Sequence, residues 1–440
     1  MSDARPISSP TEPPATGLPD GALVLRRVRR RLIPFAFLCY VVAYIDRVNI
    51  GFAATELQRD LHLSPSEYGL GAGLFFLAYC LFEIPSNLIL ERVGARRWIA
   101  RILIGWGVVS MGTALVTDVR SFMLARVLLG IAEAGFFPGM ILYLTYWIPA
   151  RERAKTGALF MMAAPIAVIV GGPLSEALLT LDGRLGLAGW QWLFLIEGLP
   201  AVVLGLFALR VLTDRPERAD WLPAAEREWL TATIAAEQGR RQSVGHATIG
   251  ASITSPRVWI LSGVLFMHTL VQYGIFLWLP KMLQDVSGAR GFALSAITAI
   301  PFAAALVAMV LVGRHSDRTG ERKYHVAALA VVSAVGLLLA VASQGHLWLL
   351  VLSFTVSQMA QRSMAGVFWA LPPMFLGGTA AAAGLGLINA TGNLGGFFGP
   401  TVMGWLREAT GGYTGGLLVL VAALLIEVGL VLSLKVPKEP

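Results

Sequence analysis

Charge is scarce in this 440-residue sequence: 14% of residues are Asp, Glu, Lys or Arg, against 56% hydrophobic. Soluble domains carry about a quarter charged residues, so too little polar surface is available to coat a water-exposed particle. Cysteine is nearly absent. Cys39 and Cys80 both sit in apolar runs, which excludes a disulfide framework and any CxxC or Cys/His metal site. The first twenty residues hold no apolar run, so no cleavable signal peptide is expected and residues 1–25 read as a disordered polar tail. There is no GxSxG elbow, HExxH pair or phosphate-cradling loop, which speaks against an intramembrane enzyme. We therefore expect no enzyme activity, no metal and no cofactor.

What the chain has instead is length in apolar runs. Segments at 32–53, 68–90, 98–117, 121–147, 157–180, 190–212, 257–281, 292–313, 324–343, 346–370, 380–405 and 414–434 each approach the ~20 residues that one bilayer crossing requires. The stretch 384–400 is rich in Gly and Ala, which suits close packing inside a bundle rather than contact with lipid. The longest polar interruption, 213–256, divides the twelve into a bundle over 26–212 and a second over 257–435, with 436–440 as a tail. The expected fold is an all-α polytopic membrane protein of two six-helix bundles.

Thirty-five Lys and Arg against 27 Asp and Glu leave a net charge of +8. Sorted by position, 26 of the basic residues fall on one set of loops and tails, and six (Arg59, Arg120, Arg184, Lys281, Arg290 and Arg407) on the other. The positive-inside rule then predicts cytoplasmic termini in a cell inner (plasma) membrane, and topology accounts for the basic excess without nucleic acid. Three arginines remain, inside the segments: Arg47, Arg126 and Arg362.

A repeat supports the division into halves. After the eighth segment come Gly313, Asp317, Arg318, Gly320, Arg322 and Lys323; after the second, Asn87, Glu91, Arg92, Gly94, Arg96 and Arg97 stand at the same spacing, 226 positions earlier. A carboxylate at a helix end facing basic residues of the next turn, with Gly allowing the reversal, makes a latch able to gate the bundle.

These turns resemble the loop signature of the major facilitator superfamily, complete in the second half and carrying Asn87 for the usual Gly and Glu91 for the usual Asp in the first. Further stretches resemble its anion:cation symporter family: Tyr44 to Gly51, Glu83 to Asn87, Arg126 to Gly139, Gly189 to Gly198, Asp214 to Pro216, and Gly392 to Pro400. The resemblance covers almost the whole chain after about Arg26 and implies carriage of organic anions such as tartrate, galactonate or phthalate, commonly with protons or Na+. It also implies alternating access with substrate between the halves.

Ionisable groups inside a membrane cost about 2.5 to 3.5 kcal/mol each on insertion scales, so each needs a partner or a function. Six stand out: Asp46, Arg47, Glu83, Arg126, Glu133 and Arg362. Counting from segment ends places Asp46 and Arg47 about two turns below the outer face, and Arg126 at a similar depth, so they could act on one ligand. Arg126, Gly130 and Glu133 share one helix face. Arg47 and Arg126 are candidate carboxylate receptors through their guanidinium forks. Asp46 and Glu133 are candidate proton carriers: burial favours the neutral acid and a neighbouring arginine the charged one, so substrate that neutralises the arginine changes proton occupancy. The family positions agree with these roles. The alternative is that all four are ion pairs that only fix packing.

Tyr79, Gln272, Tyr273 and Asn393 are further substrate-contact candidates, while Glu83, two residues before Pro85, reads as a local backbone partner. Arg362 lies beside Gln358 and Gln361; it either neutralises a second carboxylate or faces the inner gate. His268 reads as a packing residue, and Trp278, Phe368 and Trp369 as packing or an aromatic gate. The function expected is a monomeric secondary transporter in the lipid bilayer, coupling H+ or Na+ to uptake of a small organic anion such as tartrate or a sugar acid. An aromatic-acid symporter, an organic-anion exchanger and a non-transporting receptor are the alternatives.

Overall fold

The computed structural model describes residues 19–242, 254–343, 345–375 and 378–435. The expected tails over most of 1–25 and 436–440 lie outside these residues. Among the described residues all regular structure is helical.

The first half begins with α1 (Gly21–Asp60), whose N-cap Asp20 accepts the Ala22 amide at 2.9 Å. A capping box opens α2 (Pro65–Val93): the Glu67 amide reaches Ser64 Oγ at 3.2 Å, and Glu67 Oε2 accepts the Ser64 amide at 2.8 Å. Gly94, at φ +97°, turns the chain into α3 (Ala95–Gly112). Asp118 caps α4 (Val119–Glu133), and the hydrogen bonds it accepts from Ser121 hold its carboxyl below the usual range. The fourth apolar segment then breaks: Ala134 leaves helical geometry and Gly135 takes φ +84°, so α5 (Phe136–Thr145) restarts at an angle to α4. The fifth segment is likewise two pieces, α6 (Ala150–Met161) and α7 (Ala163–Leu179), followed by α8 (Gly189–Val211).

The polar interruption is more ordered than a bare linker. It contains α9 (Ala224–Gln242), which packs against α1 through an ion pair between Arg27 and Glu226, while Arg153 meets Glu237 at 2.7 Å. The second half comprises α10 (Pro256–Ser287), α11 (Phe292–Thr319), α12 (Lys323–Ala342), α13 (Leu347–Phe368), the short α14 (Pro372–Phe375), α15 (Gly378–Asn393), α16 (Gly395–Thr410) and α17 (Thr414–Ser433).

Ten described helical stretches are long and apolar enough to cross a membrane. The other two expected crossings fall short for identifiable reasons. At 22 residues α13 spans about 33 Å, but Gln358, Gln361 and Arg362 lower its hydropathy. The eleventh crossing is two pieces of 16 residues, α15 and α16, each short of a full crossing, joined at Leu394, which keeps right-handed helical geometry at φ −59° and ψ −27°.

In the first bundle α1 packs on α7 and α8, α2 on α4, and α3 on α8; in the second, α10 packs on α15 to α17 and α13 on α11 and α12. The halves meet through α2 with α16, α7 with α11, and α1 with α10. At the end carrying Asp60 and Pro65 this contact is close. A Cβ on Gly69 would stand 2.5 Å from the Pro400 carbonyl oxygen, so backbone meets backbone there. Beside it, Tyr68 donates its hydroxyl to the Ile50 and Leu277 carbonyls at 3.0 and 3.4 Å, and the Ser66 amide donates to Glu408 at 3.0 Å. Trp278 is part of this seal: it packs edge-on against Tyr68 and donates Nε1 to the Pro400 carbonyl at 3.2 Å.

Candidate functional site

The buried charges of the first half collect where α1, α2, α3 and α4 converge. Arg47 donates Nε to Glu133 Oε1 at 2.8 Å and adds a second bond from Nη2 to the same oxygen. The pair is sealed from solvent, with side-chain exposures of 9% and 0%. Aromatic rings surround the guanidinium, its central carbon lying 5.2 Å from the Tyr79 centroid, 5.5 Å from Tyr44 and 5.6 Å from Phe75. Asp46, one residue earlier, points elsewhere: its Oδ1 accepts from Ser110 of α3 and from Asn49 at 3.2 Å.

Arg126 is handled differently. It is buried over the Phe75 ring at 5.0 Å, and its Nε and Nη1 make no hydrogen bond among the described residues. Asp46, Tyr68 and Glu133 lie within its electrostatic reach. The site thus holds one arginine committed to a carboxylate and one with donors to spare.

This differs from the expectation that Arg47 and Arg126 stand at one depth. Because α1 continues to Asp60, Arg47 is thirteen residues, about 20 Å, from that end. Glu133 is fourteen residues into α4 and Arg126 only seven. Arg47 is therefore level with Glu133, about two turns from Arg126.

The local role expected for Glu83 is also corrected. Its carboxylate crosses between the halves, accepting from Asn389 of α15 at Oε1 and from Asn393 at Oε2, the latter at 3.3 Å. Asn87, one turn on, takes the Glu83 carbonyl instead. Asn393, expected to meet substrate, is here a partner of Glu83. Tyr273 packs on Phe76 at 4.1 Å and lies within electrostatic reach of both Arg47 and Arg362. Gln272 lies on the neighbouring face of α10, close to His268.

In the second half, Gln358, Gln361 and Arg362 occupy one face of α13 at i, i+3 and i+4 and are buried. The Arg362 guanidinium carbon lies 5.2 Å from the Phe276 ring and 5.4 Å from Phe302. His268 faces it from α10. The packing role expected for His268 leaves its nitrogens outside hydrogen-bond geometry. Phe368 is buried against Trp369 at 5.5 Å.

The two charged turns are not equivalent. In the second, Arg322 bonds Asp317 at 2.7 Å and Ser316 at 2.8 Å, while Arg318 is exposed. In the first, Glu91 and Arg92 are exposed, and Arg96 turns away from Glu91: its amide binds Asp214 at 2.8 Å and its Nε the Leu209 carbonyl at 2.6 Å. Gly94 is needed for this, since a Cβ there would stand 2.7 Å from the Asp214 carboxylate. The expected Glu91 to Arg96 latch is replaced by an anchor to the end of α8.

Sequence reasoning passed over three buried acids. Glu197 accepts from Ser175 at 2.8 Å and faces Asn49 and Asp46, extending the Asp46 network into α8. Glu176 of α7 is buried near Glu56, and Glu427 of α17 is fully buried with neither oxygen hydrogen-bonded among the described residues. Each is a single acid within an apolar run, the same signal that singled out Glu133.

Comparison with known proteins agrees with this architecture. The Major Facilitator Superfamily model matches residues 36–400. A protein of Agrobacterium vitis provisionally named a tartrate transporter is 48% identical over 413 residues, covering 94% of this chain and 91% of its own. The inner membrane transport protein RhmT of Escherichia coli is 38% identical over 414 residues, covering 94% and 95%. Among solved structures, the xylose transporter XylE of E. coli in a partially occluded inward-open conformation superposes with a TM-score of 0.73 at 16% identity, covering 94% of this chain and 99% of that one. With matches spanning nearly the full length and a fold of two membrane-embedded bundles, the chain belongs to the Major Facilitator Superfamily and is a multi-pass transporter of that type rather than an enzyme.

Proposed function

We propose that this transporter is a proton-coupled symporter for a small organic carboxylate, tartrate or a sugar acid, working by alternating access from the cell's inner membrane. The observation that carries the reading is Arg126, buried with Nε and Nη1 unpartnered beside the closed Arg47 to Glu133 pair. A guanidinium with free donors in a low-dielectric site is a receptor for an oxyanion. The similarity to relatives named for tartrate transport supports the same substrate class.

Coupling follows from charge balance. The Arg47 to Glu133 pair is neutral overall, so a substrate carboxylate that engages Arg47 would leave Glu133 as an uncompensated buried anion, which is costly. A proton on Glu133 removes that charge and frees Arg47 in one step. Substrate and proton therefore favour each other's binding, the reciprocity a symporter requires. Asp46, held by Ser110 and Asn49 with Glu197 behind it, supplies a second proton site within reach of Arg126. With the termini cytoplasmic, as the Lys and Arg distribution favours, the Asp60 end is external and this conformation is closed to the outside.

The test is uptake by proteoliposomes across an imposed pH gradient. Concentrative uptake of unmodified tartrate or a sugar acid, with alkalinisation of the external buffer, is the expected result. Uptake that follows a Na+ gradient and ignores pH would replace the proton by Na+. Accumulation of none of these acids would overturn the reading.

A further inference from the structure

We infer that Gln358, Gln361 and Arg362 of α13, with His268 of α10 opposite, form a second carboxylate-binding subsite, so that the substrate is a dicarboxylate bound at both ends. The inference rests on Arg126 as the receptor for the first carboxylate.

Four observations carry it. All four side chains are at least nine-tenths buried, yet both amide atoms of Gln358 and of Gln361 and Nε of Arg362 lack hydrogen-bond partners among the described residues, and the His268 ring has Gln272 beside it. Buried polar groups in folded proteins are almost always paired, so a cluster left open points to a ligand. Packing alone does not account for it, because the adjacent Ser357 is satisfied by Ser333 across the α12 to α13 contact at 2.9 Å. Gln361, one turn on from Ser357 along the same side of α13, stays open all the same.

The chemistry of the cluster selects its ligand. Arg362 contributes a permanent positive charge with a planar fork, the two amides contribute NH2 donors, and the imidazole contributes an N–H. Arg362 makes no ion pair within 4.0 Å among the described residues. A buried cation of this kind, ringed by donors, calls for an anion, and the fork favours a carboxylate.

Position links it to the first receptor. Phe276 lies against the Arg362 guanidinium on one side and meets Tyr44 of α1 edge-on at 6.3 Å on the other. Tyr44 in turn lies 5.5 Å from the Arg47 guanidinium, which shares the Phe75 ring with Arg126, the two guanidinium carbons lying 5.6 and 5.0 Å from its centroid. Tyr273 lies within electrostatic reach of both arginines. The two subsites thus face each other across the junction of the halves, and a ligand with a carboxylate at each end would engage both bundles.

The experiment compares matched pairs of acids that differ only in whether the far carbon is a carboxylate or a hydroxymethyl group: L-tartrate with L-threonate, and galactarate with galactonate. Uptake KM is measured in proteoliposomes for the wild type, Arg362→Gln, Arg362→Lys and Arg126→Gln. Wild-type preference for the dicarboxylate of the carried pair, with Arg362→Gln raising the dicarboxylate-to-monocarboxylate KM ratio at least about tenfold and Arg362→Lys raising it less, is the expected result. Equal effects on both members, or wild-type preference for the monocarboxylate, would overturn the subsite and leave the organic-anion reading intact. Unaltered transport of both members in Arg126→Gln would overturn the first receptor instead. If Arg362→Gln does not give a monodisperse protein, Gln361→Leu replaces it, with an expected ratio change of about threefold and none as the overturning result.

Discussion

The polar cluster of the first half contains acids and the one in the second half does not. Arg47 is closed on Glu133, and Asp46 is tied to Ser110 and Asn49. Arg362 is accompanied by Gln358, Gln361 and His268, with no carboxylate paired to it among the described residues. A cluster of acids and arginines can exchange protons for substrate. One built from amides, an imidazole and an arginine has no carboxylate to carry the coupling proton, and the role proposed for it is selection. Under the symport proposed above, this contrast divides the labour: the first bundle would couple and the second discriminate.

That division can be broken most severely at Arg126. Arg126→Ala should lower uptake at least about a hundredfold while the purified protein remains monodisperse, because the free guanidinium has no substitute donor. Next comes Glu133→Gln, which keeps a partner for Arg47 but carries no proton. It should retain counterflow exchange of labelled for unlabelled substrate and lose accumulation driven by a pH gradient; full accumulation would remove Glu133 from coupling. A variant that retained accumulation while losing selectivity would reverse the assignment of the halves.

Two smaller effects sharpen the comparison. Gly69→Val should cut turnover about tenfold, measured as Vmax at saturating substrate, since its side chain would strike the Pro400 carbonyl when the Asp60 end closes. At the other end of the molecule, Asp214→Ala should reduce Vmax more than Asp317→Asn does. Asp214 anchors the turn at Gly94, whereas the Asp317 to Arg322 pair is exposed on its acidic side and weak by nature, with an expected loss of about threefold or less. Equal losses would restore the two turns to equivalence.

The helices were legible because a bilayer crossing demands a run of fixed length and polarity, and nothing subtler is needed to see one. The break at Ala134 and Gly135 was not, since it depends on the neighbour a small residue meets, here Ser86, whose Oγ a Cβ on Gly135 would strike. Arg126 and Glu133 were correctly placed on one helix face by spacing. Their partners were not readable: the depth of Arg47 is counted from the end of its apolar run, and α1 extends seven residues beyond that, a polar continuation that hydropathy assigns to a loop, while Arg47 in fact bonds Glu133. Glu83 shows the same limit. Its proximity to Pro85 suggested a local bond, while its actual partners, Asn389 and Asn393, lie some three hundred positions away. Spacing reports which groups share an element; which elements meet is decided by packing.

The seam at Gly69 has a consequence for turnover. Where Gly69 meets the Pro400 carbonyl, backbone touches backbone, so that stretch of the contact freezes no side chain when it forms and asks none for a new rotamer when it parts. Closing that stretch is cheap in entropy, and what opening has to break lies beside it, in the Tyr68 to Leu277 and Ser66 to Glu408 hydrogen bonds. The Pro400 carbonyl is held by Trp278 from its own half, so it need not wait for the other half to satisfy it. The gate at the Asp60 end then has a seam that parts without repacking, leaving the polar bonds beside it and the ligand between the halves to decide which state prevails.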